Sequence, residues 1–388
     1  MFDAYLESFD FLKHKFKQLK GRQLVFSISG KIKSKKKMSQ KQRNIIKKDL
    51  NQRLIYLERK AFISNIYIRI VYNYNDNNPP TVVNATKNML DLMHVNVNQQ
   101  NHNENKVVIR ARLPYYDDSQ VTFLSVRQNI EMESADSYVL IESFNSILQY
   151  ANIESRLKST KDIDHNNRSN DAVDFSKQIY YPANSLEYKI EMYRRQKQIL
   201  QINEIVPFYF DLLYNHNKYH RKGNFFDNIL FTILKYPIRV SITISQDKND
   251  ITECKKLFKE KLAQFKRDNP FFSSLYGPTI LSVFYKPQKN IDIKDIDNFI
   301  QKIVAPCFED EFKPPFRMFA PTKEEMEAIK AVGYCNNLNG HIIGYDILKL
   351  PSDNKHNEGF CIIGFHMENH SDVIASLKNG IEEIINNV

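Results

Sequence analysis

The feature that most constrains the fold is a succession of elements that occurs twice along the chain. In each half, a strand with alternating apolar residues precedes a helix, a second such strand, one or two prolines and a further helix. These elements are residues 23–29, 39–60, 64–74 and 78–93 in the first half, and residues 238–245, 252–265, 279–285 and 292–304 in the second. The repeated order predicts an α+β fold made of two copies of one small module, each a mixed sheet flanked by helices.

The last of these elements carries two acids two residues apart, Asp295 and Asp297. Residues i and i+2 of an extended segment point to the same side. The two carboxylates can therefore converge on one hard cation, and Mg²⁺ is the usual occupant of such an oxygen site. The same residues also fit a helix start, because an apolar helix face follows and Asp297 or Asn298 is a natural N-cap. Spacing alone leaves the metal-ligand and the capping interpretations open.

The corresponding helix of the first half has the same frame without the acids. Thr81 and Val83 stand at the two carboxylate positions, and Lys87 follows on the helix. Since neither a hydroxyl nor an isopropyl group offsets the charge of a divalent cation, this half cannot supply the two ligands that the second half retains.

A second acid pair shows the opposite loss. Asp117 and Asp118 precede Ser119, Gln120 and an alternating strand in the first half, whereas residues 336 and 337 at the matching place in the second half are asparagines. Each half therefore lacks the acids that the other keeps.

These two acid-bearing stretches resemble the signature of the RusA-type Holliday-junction resolvases. In that family an Asp-x-Asp-Asn element opens an apolar helix that bears a lysine, and an Asp-Asp-Ser/Ala-Gln element leads into a strand. Residues 295–298 are similar to the first element and residues 117–120 to the second, in the reverse of the family's order. The order is explained if the chain contains the module twice, as an intrachain pseudo-dimer. We therefore divide the chain into a first module (1–150), a polar linker and helical segment (151–225) and a second module (226–388).

The resemblance implies a Mg²⁺-dependent endonuclease that acts on branched DNA, with Mn²⁺ as an alternative ion. The catalytic candidates that it implies are Asp295, Asp297, Asp117, Asp118, Lys87 and Lys302, and the metal ligands among them are Asp295, Asp297 and Asp118. Lys302 stands one position after the family's lysine position, which holds Gln301 here. The acids of one half would complete those of the other across the pseudo-dimer.

The charge of the chain also suits a nucleic acid. Lysine and arginine number 55 against 45 aspartates and glutamates, which gives a formal net charge of +10. Such an excess favours a polyanionic partner such as DNA, although the composition of an AT-rich genome gives the same balance. The predicted phosphate contacts are the lysines of a basic loop after the first strand: Lys31, Lys33, Lys35, Lys36 and Lys37. A merely solvated charged face is the alternative for this loop.

Nothing in the sequence predicts a membrane span, a signal peptide or a cysteine-ligated zinc site. Residues 1–20 alternate acids, aromatics and lysines, and the four cysteines are far apart without a Cys-x-x-Cys pair. We therefore expect no membrane partner and a reducing, cytoplasmic compartment.

Two functions stay open at this point. The first is a structure-selective endonuclease, which the intact Asp-x-Asp-Asn element favours. The second is a catalytically degenerate resolvase-like protein that binds DNA or a protein partner without cleavage, which the losses in both halves favour.

Overall fold

The architecture comes from a computed structural model of the chain. The described residues are 8–58, 60–75, 79–93, 113–129, 132–160, 181–182, 185–200, 234, 236–242, 250–287, 295–312, 342–350, 359–367 and 373–387.

Apart from the helix Phe144–Thr160, the helices and strands of these residues follow the order that the sequence predicts. The strands are β1 (Leu24–Ser29), β2 (Ile66–Asn73), β3 (Val121–Asn129), β4 (Asp136–Ser143), β5 (Ile238–Ile242), β6 (Thr279–Lys286), β7 (Ile342–Lys349) and β8 (Gly359–His366). The α-helices are α1 (Phe9–Gly21), α2 (Gln40–Tyr56), α3 (Val82–Met93), α4 (Phe144–Thr160), α5 (Leu186–Ile199), α6 (Asp250–Asp268), α7 (Ile296–Phe299), α8 (Ala305–Glu311) and α9 (Val373–Asn386). A π-helical segment, Ile300–Val304, joins α7 to α8.

All the described strands belong to one mixed eight-stranded sheet, in the order β1-β4-β2-β3-β7-β6-β8-β5. Strand β4 is antiparallel to β1 and β2, and β2 is parallel to β3. Likewise, β8 is antiparallel to β5 and β6, and β6 is parallel to β7. The antiparallel pair β3–β7 joins the two sets of four strands at the centre of the sheet. The predicted α+β class with a mixed sheet flanked by helices is confirmed.

Both faces of the sheet are covered by helices, as the burial of successive strand residues requires. Ile66 and Ile68 of β2 belong to one apolar cluster, with residues of α2, α3, α6 and the α7–α8 segment. Tyr67 belongs to a second cluster on the opposite side, with residues of α1, α4 and α9. The strands next to the centre are accordingly buried along their length, and every residue of β6 is buried. The site described below lies on the side of α3 and α7.

The predicted boundary at residue 150 falls inside a helix. The predicted linker and helical segment begins at residue 151, but α4 runs from Phe144 to Thr160. Its buried residues recur at helical spacing, at Phe144, Ile147, Tyr150, Ile153 and Leu157. The polar residues between these positions hide this periodicity in the sequence, although most of them lie outside the buried face; Ser146 and Glu154 are themselves buried.

No helix within the described ranges is long and apolar enough to cross a membrane.

Candidate metal centre

Three aspartates from the two halves of the chain meet at one point. Asp118, Asp295 and Asp297 each direct a carboxylate oxygen to a common place, where these oxygens lie within 4.8 Å of one another. Within the described residues, no other group of three His, Cys, Asp or Glu side chains has this geometry. The cluster could hold a metal ion.

The elements around the sheet centre bring these acids together. Asp118 begins a 3-10 helix, Asp118–Gln120, that leads directly into β3. Asp295 immediately precedes α7, and Asp297 is the second residue of that helix. Because β3 pairs with β7 of the second half, and α3 and β3 both contact α7, the acids of both halves reach the same place.

The helix start differs from the one expected from the sequence. The prediction that Asp297 or Asn298 is the N-cap is wrong, since α7 begins earlier and Asp295 holds the N-cap position. The Asp295 side chain accepts no backbone N–H at this helix start, and Asn298 Nδ2 donates to its Oδ2 at 2.9 Å. The carboxylates of Asp295 and Asp297 therefore converge where an extended residue meets a helical one, and capping does not account for them.

Neutral hydrogen-bond donors orient the carboxylates of Asp118 and Asp295. The Tyr115 hydroxyl donates to Asp118 Oδ1 at 3.0 Å, and the side-chain amide of Asn298 donates to Asp295. Burial and the nearby Asp118 carboxylate raise the pKa of the Tyr115 hydroxyl well above its usual value, so that it remains a donor. Sequence analysis did not single out Tyr115, although it lies only three residues before Asp118.

Asp297 is the most deeply buried member of the cluster. Its exposed fraction is 3%, and its Oδ1 accepts no hydrogen bond from any described residue. Burial, opposed by Lys87 and assisted by the carboxylates of Asp118 and Asp295, raises the pKa of Asp297. A buried carboxylate oxygen without a donor is costly unless a ligand or a proton satisfies it.

Lys87 supplies the cation of this cluster. Its Nζ lies 2.7 Å from Asp297 Oδ2, 3.7 Å from Asp91 Oδ1 and 4.0 Å from Asp118 Oδ2. Burial alone would lower the pKa of Lys87, but the carboxylates of Asp297, Asp91 and Asp118 together outweigh it and the pKa is raised. Lys87 therefore stays protonated at neutral pH and cannot serve as a base.

The charges of the cluster fit a divalent ion. Three carboxylates against one ammonium group leave a formal excess of two negative charges when all are ionised. Burial raises the pKa of Asp295, and the neighbouring Asp118 carboxylate raises it further. Carboxylate oxygens are the donors that Mg²⁺ and Ca²⁺ prefer. The residues present therefore fit a hard divalent cation, with the unsatisfied Asp297 Oδ1 as its most demanding ligand.

The basic loop lies next to the cluster. Lys35 Nζ is 2.8 Å from Asp91 Oδ2, and Asp91 also contacts Lys87. Asn88 of α3 donates to the Lys33 carbonyl oxygen at 2.7 Å and accepts from Arg43, which fixes the loop against the helix. Lys36 and Lys37 are exposed. The loop thus presents positive charge beside the three aspartates.

The other sequence candidates do not join the cluster. Asp117 is exposed, and its carboxylate caps the 3-10 helix by accepting from Ser119 N at 2.7 Å. Lys302 is exposed on the π-helical segment. Two further acids of the second half have their own partners: Asp310 pairs with Lys259, and Asp346 with Arg127. Residues 292, 336 and 337 lie outside the described residues.

One basic residue near the cluster was missed. Lys349 ends β7, and burial lowers its pKa although the nearby carboxylates of Asp295 and Asp117 oppose the shift. It follows an apolar strand run, so that no local sequence signal connects it with an acidic site.

Comparisons with known proteins add no family. No protein-family model and no curated protein matches the chain. Among solved structures, the chain is weakly similar to the crystal structure of the epimerization domain from the third module of tyrocidine synthetase B, with 7% identity, 97% of this chain and 94% of that chain covered, and a TM-score of 0.11. So low a score carries no argument, and the site has to be interpreted from its own residues.

Proposed function

We propose that this chain is a Mg²⁺-dependent, structure-selective endonuclease that acts on branched DNA. The observation that carries the proposal is the position of Asp118. The second half supplies only Asp295 and Asp297, and two carboxylates would leave an octahedral ion mostly hydrated. Asp118 of the first half lies within 4.8 Å of both at their ligand oxygens and is the third carboxylate that the site needs.

The proposal includes a tandem duplication of a RusA-like module, with the two copies arranged as a pseudo-dimer. The strand order supports it. From one edge to the centre the order is β1-β4-β2-β3, and from the other edge to the centre it is β5-β8-β6-β7. The two orders are the same when β1 to β4 are matched with β5 to β8. The parallel and antiparallel relations match as well.

The strand registers give finer support. Between β2 and β3, the pair Ile66–Val121 is followed by Tyr67–Phe123, so that one residue of β3 is skipped. Between β6 and β7, the pair Thr279–Ile342 is followed by Ile280–Gly344, with one residue of β7 skipped at the same place. A shared irregularity is a specific feature, since bulges are fixed by local sequence and kept within related modules. Phe123 thus corresponds to Gly344, Ser125 to Asp346 and Arg127 to Leu348.

The central strand pair has the self-complementary form of a two-fold contact. Phe123 pairs with Leu348 and Arg127 with Gly344, so that each residue faces the counterpart of the other. Ser125 pairs with its own counterpart, Asp346, at the midpoint. This is the pattern of an isologous interface, in which residue i contacts j and j contacts i. It supports the two halves being related by a local two-fold axis through this pair.

The chemistry follows from the residues of the cluster. Asp118, Asp295 and Asp297 would hold the ion, which when bound activates water and stabilises the leaving oxygen of a phosphodiester. Lys87 remains cationic and holds Asp297 in place, and it offers positive charge beside a bound phosphate. The exposed Lys36 and Lys37 of the basic loop would contact the DNA backbone.

A second function, binding without cleavage, is favoured by a different observation. Lys87 Nζ already lies 2.7 Å from Asp297 and 4.0 Å from Asp118, so that an ammonium group offsets part of the charge that a metal would neutralise. In a degenerate site such a lysine would replace the ion. The protein would then hold DNA or a protein partner without cutting it.

Cleavage of a synthetic four-way junction separates the two functions. The full chain should cut the junction with Mg²⁺ or Mn²⁺, and Asp297→Asn should abolish cleavage while junction binding in EDTA is retained. Asp310→Asn is the matched control, because Asp310 is an exposed acid of the same segment that pairs with Lys259. If the wild-type chain binds branched, flapped and single-stranded DNA but cuts none of them with either ion, the binding function stands and the endonuclease is rejected.

A further inference from the structure

The two halves differ at the positions that form the acid cluster, and this difference affects how many DNA strands one chain can cut. Helices α3 and α7 begin at Val82 and Ile296, respectively. Counting from these starts, Thr81 corresponds to Asp295, Val83 to Asp297, Asn84 to Asn298 and Lys87 to Gln301. The two-fold relation proposed above therefore places the symmetry counterpart of the acid cluster at a second position, which contains Thr81 and Val83.

A hydrogen bond common to both halves supports this correspondence. Asn298 Nδ2 donates to Asp295 Oδ2 at 2.9 Å, and Asn84 Nδ2 donates to Thr81 Oγ1 at 2.8 Å. In each half, an asparagine at the third helical position thus donates to an oxygen of the residue directly before the helix. The oxygen belongs to a carboxylate in one half and to a hydroxyl in the other.

The second position has lost its ionic chemistry. Val83 is 8% exposed and offers no ligand atom where Asp297 does. Gln301, at the position that corresponds to Lys87, donates its Nε2 to Asn84 Oδ1 at 3.0 Å, so that a neutral amide stands in place of the ammonium group. The counterpart of Asp118 is missing from the sequence too, because residues 328–341, directly before β7, contain no aspartate or glutamate. The chain keeps one of two symmetry-related sites.

The basic loop, like the acid cluster, is kept in only one half. The loop after β1 contains five lysines within residues 31–37, whereas residues 243–249 after β5 contain one lysine and one aspartate. Lys35 of the basic loop reaches Asp91, which contacts Lys87 of the acid cluster. The retained site and the retained basic loop therefore lie together, and the same DNA strand would meet both.

From these observations, and resting on the proposed endonuclease function, we infer that one chain cuts a single strand of a branched DNA and leaves a nick. Water adds across one phosphodiester P–O bond, so that one new end is a phosphate monoester, the other is a hydroxyl, and the remaining proton passes to solvent. A four-way junction separates into two duplexes only when two strands are cut. One chain therefore nicks a junction without resolving it, unless a second chain binds.

A supercoiled plasmid with an inverted repeat that extrudes as a cruciform tests the inference. With Mg²⁺ and the plasmid in molar excess over the full chain, we expect the open-circular form to accumulate without the linear form. A nick releases supercoiling and the cruciform is reabsorbed, so that linear product arises only if both cuts occur within one binding event. Linear plasmid as the main product would overturn the inference and leave the endonuclease proposal intact.

Two controls complete the test. Asp297→Asn should leave the plasmid supercoiled, whereas Asp310→Asn should nick it as the wild type does. A wild-type chain that leaves the plasmid supercoiled and also fails to cut synthetic junctions would overturn the inference together with the endonuclease proposal. On a synthetic junction with each strand labelled in turn, no single junction should carry two cuts. Junctions cut in two strands by one chain would contradict the inference directly.

Discussion

Lys87 Nζ, on α3 of the first half, lies 2.7 Å from Oδ2 of Asp297, on α7 of the second half. The pair connects the two halves at the acid cluster, and the Asp297 side chain is almost completely buried. An ammonium group at this place either supports a metal site or replaces the metal. The two roles differ in whether the wild-type chain binds Mg²⁺ with the lysine in place.

Replacing Lys87 by methionine should tighten Mg²⁺ binding and slow cleavage. Without the ammonium group, three carboxylates face the ion with no competing cation, so that the Kd for Mg²⁺ measured by calorimetry should fall. In EDTA the variant should be less stable by about 1–3 kcal/mol, because a buried group loses its partner, and Mg²⁺ should restore part of that loss. Lys302→Met, at an exposed position, is the control and should match the wild type. A wild-type chain that binds no measurable Mg²⁺, beside a Lys87→Met variant that does bind it, would indicate that the lysine replaces the ion.

The acid cluster should make stability depend on pH in the absence of metal. Burial raises the pKa of Asp297 and of Asp295 above the ordinary aspartate value of 3.8. A carboxyl with a raised pKa in the folded state stabilises the fold below its unfolded pKa, and this contribution is lost as the pH rises through the folded pKa.

In thermal unfolding, the wild type in EDTA should therefore lose stability, relative to the double variant Asp295→Asn, Asp297→Asn, as the pH rises from about 4 through the raised pKa values. Bound Mg²⁺ should abolish that relative loss, since metal binding favours the ionised carboxylates. A stability difference that stays constant with pH in EDTA would show that the buried carboxylates are not the groups that titrate.

The basic loop should determine the salt dependence of DNA binding. Each phosphate contact contributes about 0.9 to the slope of log K against log salt concentration. Replacing Lys33, Lys36 and Lys37 by glutamine should therefore flatten the slope by about two to three units. Lys35 is left in place because of its ion pair with Asp91. The matched control replaces Lys13, Lys15 and Lys17 of α1, which packs on the other face of the sheet. If both triple variants keep the wild-type slope, the loop is only a solvated surface.

Much of the fold follows from the sequence because its elements carry strong local signals. Alternating apolar residues predict β2 and β6 within two residues of their observed ends. A proline after each of these strands indicates where the strand ends and α3 or α7 follows. Helix α4 was missed because its apolar residues are diluted by polar ones that face solvent. Its helical spacing was present in the sequence, and only the composition was misleading.

The candidate site was predictable only in part. Asp295 and Asp297 are two residues apart, so that their spacing allows a shared metal ion, although it equally fits a helix start. The part played by Asp118 depends on a strand pair between β3 and β7, which are more than 200 residues apart in sequence. Asp117 and Asp118 are adjacent and equivalent in the sequence, and the 3-10 helix separates their roles: one carboxylate caps the helix, and the other joins the cluster.

The most direct measurement is the Mg²⁺-dependent cleavage rate of a four-way junction by Asp118→Asn, by Asp297→Asn and by the double variant. If the acids of the two halves form one site, each single change removes nearly all activity and the double variant is no worse, since groups that act as one unit are not additive. Junction binding in EDTA should be unchanged in all three. Asp117→Asn is the adjacent control and should cut normally, because asparagine caps a helix as well as aspartate. An Asp118→Asn variant that cuts at the wild-type rate would contradict a site shared by the two halves.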